Sequence, residues 1–182
     1  MKKVFIVHGA ISRKSTEKWV RCLSGYLDSY GYSAHYFLWS GIPLKWFVSR
    51  AANRFKEFHR RFNGGDSYVI CKSIGADVVN LALDEITPRL VINVAPAYVV
   101  SKSLNGRTNF VTITLETDTF LDLWERVGIV HRIQPTDYGN SYTITNGKDI
   151  NHHSVNDNIS VKIDKIGNKN IYDVYRHLME NK

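Results

Sequence analysis

The stretch DSYVICKSIGADVVNLALD, Asp66 to Asp84, decides how this chain is read. Its apolar run Tyr68-Val69-Ile70-Cys71 suits a buried strand, and the spacing of Ile74, Val78, Leu81 and Ala82 suits a helix. Only Lys72-Ser73 lies between them. A strand that reverses into a helix over so few residues holds the turn residue in a strained conformation and pushes its side chain out above the sheet edge; that residue is Ser73. The backbone N–H of Ile74 then opens the helix without an intrahelical acceptor, aimed where an oxyanion would form. Gly75, two residues past the serine, lets strand and helix pack closely.

Outward from this stretch the same strand-then-helix rhythm recurs. Lys2 to Val7 reads as a first central strand ending in the sharp turn His8-Gly9-Ala10. Ser15 to Tyr30 places Trp19, Leu23, Tyr26, Leu27 and Tyr30 on one helical face, with Gly31 where a helix stops. A strand follows from Ser33 to Trp39. From Pro43 to Phe62, Leu44, Phe47, Val48, Ala51, Phe55, Phe58 and Phe62 recur at helical spacing with the basic residues largely opposite; this stripe reads as core, with a lipid-facing lid as the sharper alternative. Leu90 to Val94 is a further buried strand ending in Ala95-Pro96-Ala97, and Asn109 to Leu115 is the next. Tyr142 to Thr145 reads as a final strand before the Asn146-Gly147 turn. Ile159 to Ile166 suits an extra edge strand, and Asn170 to Met179 a closing helix. The expectation is an α/β fold: one domain over residues 1–182, a three-layer sandwich with a mostly parallel central sheet flanked by helices. Such sheets bind ligands beyond the C-terminal ends of their strands, where Ala10, Ser73 and the residues after Leu115 should meet.

Composition bounds the function. With 182 residues and 43% hydrophobic content, the chain suits one domain with a substantial core. No apolar run reaches the length of a membrane span or a signal-peptide core, so a soluble, cytoplasmic protein is expected. Cys22 and Cys71 fall in an expected helix and strand and read as small buried residues rather than a disulfide pair. The net charge of +7 invites a nucleic-acid partner. Yet outside the helix holding Arg50, Arg54, Lys56, Arg60 and Arg61 the charges are scattered, and no basic-aromatic motif accompanies them. A solvated basic face is the simpler reading, leaving a weak attraction to anionic lipid or an acidic partner.

The strand, Cys71-Lys72-Ser73-Ile74-Gly75 and helix together resemble the nucleophile elbow of the α/β-hydrolase superfamily, with Cys71 where the usual motif has its first glycine. The resemblance is closest to small lipase- or esterase-like serine hydrolases without a cap domain, since Pro96 to Thr108 is too brief a connection to form one. It implies Ser73 as nucleophile, with the N–H groups of Ile74 and of Ala10, or else Ile11, as the oxyanion hole. The acid would follow the second strand after the elbow, which selects Asp118 over Glu116 and Asp122; either of those suits a helix N-terminal acid. The base would be a late loop histidine, His153 by its setting before Ser154-Val155-Asn156, with His152 as the alternative. The chain order Ser, Asp, His is that of the superfamily.

What the resemblance implies is cleavage of a small carboxylester or thioester through an acyl-enzyme, with no cofactor and no metal. Asp149, His152, His153 and Asp157 form the one cluster suggestive of a metal, and adjacent histidines usually diverge. Cys71 as nucleophile is disfavoured by its place inside a strand. The alternative from another class is a hydrolase-like binding or scaffold protein with a relaxed elbow.

Overall fold

The computed structural model describes residues 1–9, 13–40, 42–97, 108–116, 140–145 and 154–181, with Asp118, Asp122, Arg126, Ile150 and His152. Runs of β-branched and aromatic residues form the strands β1 (Lys2–Val7), β2 (Tyr32–Phe37), β3 (Ser67–Lys72), β4 (Leu90–Val94), β5 (Asn109–Leu115) and β6 (Asn140–Ile144). Two short strands follow, β7 (Ser160–Ile163) and β8 (Gly167–Asn170). They join one sheet in the order β2-β1-β3-β4-β5-β6-β7-β8. Pairing is parallel from β2 through β6 and antiparallel at β6–β7 and β7–β8. The fold class expected from the sequence is the one observed.

Side-chain alternation along the strands builds two cores. Val4 and Ile6 face one side, with Tyr68, Ile70, Leu90 and Ile92, beneath helices α1 (Arg13–Ser29) and α4 (Ile171–Glu180). Phe5 and Val7 face the other, with Val69 and Val91, beneath α2 (Lys45–Arg61) and α3 (Gly75–Ala82). The helix α1 stops at Gly31, whose φ of +79° is the left-handed conformation glycine adopts without cost.

Five readings are corrected. Cys22, expected to be buried, is exposed on the outer side of α1, and Leu44, expected in the core stripe of α2, lies exposed just before that helix. Trp39 lies beyond the end of β2 and serves the site instead. β6 is the last parallel strand but not the final one, because Ile159 to Ile166 opens a hairpin: Lys165 and Gly167 take positive φ values of +64° and +86° and turn the chain back. On α2 the basic residues are not all outward. Lys56 is buried but pairs with Asp84 at 2.9 Å and Glu85 at 2.9 Å, and buried His59 lies 3.0 Å from the Ser67 hydroxyl. Each cation or ring is tolerated because its polar atom is satisfied. Among the described residues no helix is long and apolar enough to cross a membrane.

Candidate active site

β3 passes into α3 through Ser73, which holds φ at +53°, a region L-residues other than glycine rarely enter. Its N–H donates to the carbonyl of Val94 at 2.9 Å, so the turn is tied to the end of β4. Close packing explains the two glycines around it. A Cβ on Gly9 would lie 2.7 Å from Ser73 Cβ, and one on Gly75 would lie 2.4 Å from the carbonyl oxygen of His8. Glycine at both places lets the end of β1 press against the elbow. Cys71, where the motif usually has glycine, points into the α2–α3 core and donates its thiol to Asn93 Oδ1 at 3.0 Å. Burial holds that thiol well above its usual pKa, which disfavours the thiolate a cysteine nucleophile needs.

The turn after β1 is pinned by its histidine. His8 Nδ1 donates to the carbonyl of Gly9 at 2.6 Å, and Nε2 accepts the backbone N–H of Trp39 at 3.1 Å. The indole Nε1–H of Trp39 returns a bond to the carbonyl of His8 at 2.9 Å, with the rings stacked. This pattern needs the neutral ring with its proton on Nδ1, and burial lowers the pKa in the same sense. Ala10, the expected second oxyanion donor, and Ile11 lie outside the described residues. Ile74 sits at the N-terminal boundary of α3, where its N–H has no intrahelical acceptor.

Beyond β5, Asp118 is buried and its Oδ2 lies 2.9 Å from Nδ1 of His152, also buried. The carboxylate therefore accepts the Nδ1–H and sets the ring's tautomer. Glu116 is exposed by contrast, and the N–H of Asp122 donates to the carbonyl of Asp118 at 2.9 Å. His153 lies outside the described residues. The segment that follows forms the 3-10 turn Ser154–Asn156, moored to α4 where Tyr172 Oη donates to the carbonyl of Asn156 at 2.9 Å.

Lys72 joins the two halves. It precedes Ser73, yet it is buried, and its ammonium donates to Asn156 Oδ1 on the histidine segment, over the face of Trp19. Burial lowers its pKa to about 7, against the opposing pull of the Asp118 and Asp157 charges. Sequence reasoning passed over this residue. The available signal was a lysine at the C-terminal end of an otherwise apolar central strand.

Searched against known proteins, the sequence matches no family model and no curated protein. Solved structures do resemble it. One from Xanthomonas campestris pv. campestris, named for the hydrolases of the alpha/beta superfamily, is 11% identical with a TM-score of 0.61, covering 100% of both chains. An alpha/beta hydrolase enzyme from the sediment metagenome of the Mar Chica lagoon, Morocco, is 14% identical with a TM-score of 0.59, covering 99% of this chain and 89% of that one. An uncharacterized protein from Bacillus cereus is 13% identical with a TM-score of 0.65, covering 99% of this chain and 58% of its own. The chain has the α/β-hydrolase fold. At these identities the likeness is one of architecture, and chemistry has to be argued from the site.

Proposed function

We propose that this protein is a cofactor-independent, cytoplasmic serine hydrolase that cleaves a small carboxylester or thioester, with Ser73 as nucleophile, His152 as base and Asp118 as its orienting acid. The observation that carries the reading is the pairing of a serine at φ +53° on a strand-to-helix turn with a buried Asp118–His152 hydrogen bond of 2.9 Å at the same end of the sheet. A serine hydroxyl is a weak nucleophile at neutral pH, so imidazole takes its proton as Oγ attacks the acyl carbon. Asp118 stabilises the resulting imidazolium without taking the proton. The tetrahedral oxyanion is met by the N–H of Ile74 and that of Ala10, each worth about a hundredfold in rate. Collapse expels the alcohol or thiol with the proton from His152. Water, deprotonated by the same ring, then releases the acid from Ser73. β4 ends at Val94 and β5 begins at Asn109, a connection too short for a cap domain, which favours a small substrate.

The test is labelling by a fluorophosphonate probe at neutral pH. Wild type and His153→Ala should label, while Ser73→Ala and His152→Ala should not. Labelling retained in Ser73→Ala would sink the assignment, and loss in His153→Ala alone would move the base to that residue. A folded wild type that never labels would favour the binding-protein reading.

A further inference from the structure

The rim beside Ser73 carries apolar side chains that neither core covers. Between the end of β2 and the first turn of α2, Leu38, Ile42, Leu44 and Trp46 are exposed, Leu44 by 55% and Trp46 by 57%. Single exposed apolar residues are ordinary, but this many in one short stretch is a patch that marks an interaction surface. Its described residues are tied down. Trp39 within it makes two hydrogen bonds to His8, the Val48 N–H donates to the carbonyl of Leu44 at 3.0 Å, and the rings of Trp46 and Phe47 stack at 3.9 Å. Because β2 runs parallel to β1, the patch stands at the sheet edge where the elbow lies.

Its charge is one-signed. From Ser29 to Lys56 the sequence contains no Asp or Glu. Lys45 and Arg50 are exposed beside the patch, and Trp46, Arg50 and Arg54 fall at helical spacing on the outer face of α2. Aromatic and aliphatic side chains rimmed by Lys and Arg are what an anionic bilayer surface accepts: rings enter the headgroup region while the cations meet phosphate. A second copy of this chain fits less well, because it would bring Lys45 and Arg50 against their like.

We propose that residues 38–40 and 42–50 form a docking surface for an anionic lipid bilayer, with Ile42, Leu44 and Trp46 entering the interface and Lys45 and Arg50 contacting its phosphates. The surface sets the mouth of the site against the membrane. It goes beyond the hydrolase reading, and binding can be measured without turnover, so the two succeed or fail separately.

The experiment is co-sedimentation of the full chain with phosphatidylcholine vesicles, with and without phosphatidylglycerol, at about 0.05 M and about 0.5 M salt. Binding should require the anionic lipid and weaken at the higher salt. Leu44→Ser and Trp46→Ser should each weaken it about tenfold, and Arg50→Gln about fivefold. Arg61→Gln, at the far end of the same helix, should leave it unchanged. Because these side chains are exposed, all four variants should melt as the wild type does. Absence of binding to anionic vesicles would overturn the proposal. So would equal losses in Arg50→Gln and Arg61→Gln, which would mark non-specific attraction by net charge. Self-association that disappears in Trp46→Ser, without vesicle binding, would assign the patch to a second copy.

Discussion

Ser73 has the backbone of a glycine and the side chain proposed as nucleophile, and the left-handed backbone is stored as strain. Left-handed φ costs an L-residue about 1–2 kcal/mol, so Ser73→Gly should melt higher than Ser73→Ala by roughly 1 kcal/mol while both stay unlabelled; equal melting would mean that the turn is relaxed. Lys72 predicts the opposite coupling of stability and activity. Its amine binds fewer protons folded than unfolded between its lowered pKa of about 7 and the ordinary lysine value. Its contribution to stability therefore rises with pH through that window and is least favourable below pH 7. Lys72→Met should gain up to about 3 kcal/mol at acid pH and keep less of that gain in alkali. It should nonetheless lose turnover, because the tie to Asn156 is cut. Chemical melts at about pH 6 and about pH 10, with kcat measured beside them, check both halves. At this scale the serine was legible because a strand and a helix separated by two residues leave one position for the turn. Lys72 was not, because nothing local says that a lysine at a strand end will be covered by a segment from residues 154–156.

Among the elements, the contact that builds the site is the end of β1 against the start of α3. A Cβ on Gly75 would stand 2.4 Å from the carbonyl oxygen of His8 and 2.8 Å from that of Val7, both backbone atoms with little room to retreat. Gly75→Ala should cost about 1–3 kcal/mol and displace the His8-Gly9 turn, lowering kcat more than KM; steady-state kinetics with a small aryl ester and a urea melt check this. The helices and parallel strands followed from periodicity, with Leu90–Val94 and Asn109–Leu115 matching residue for residue. The β7–β8 hairpin did not, because its reversal rests on Lys165 in a left-handed conformation that lysine seldom adopts. The histidine doublet was readable as a pair only. Which ring meets Asp118 depends on how a loop turns, and the structure gives that contact to His152.

Across the whole molecule, acid stability rests on neutral imidazoles, two buried and one half-buried. His59, with its pKa lowered to about 4 by burial, and His8 and His35, lowered for the same reason, bind fewer protons folded than unfolded. Their stabilisation is complete above the ordinary histidine value near 6.5 and is lost as pH falls through that value toward 4. Asp77 works the other way, since burial raises its pKa and protonation relieves it. The wild-type urea midpoint should drop between about pH 7 and about pH 5, and the drop should shrink in His59→Phe; an unchanged drop would place the acid sensitivity elsewhere. The residue pattern by itself determined the layered α/β architecture, the strained turn at Ser73 and the chain order of serine, acid and histidine. All three depend on local spacing, turn chemistry and alternation, which neighbours in sequence decide. Only the tertiary structure decided that His152 meets Asp118, that Trp39 locks His8, that Lys72 bridges the elbow to the histidine segment, and that Leu44 and Trp46 stay outside the core. Those contacts join residues far apart in the chain, and whether a side chain is buried or paired depends on which distant element the fold lays over it.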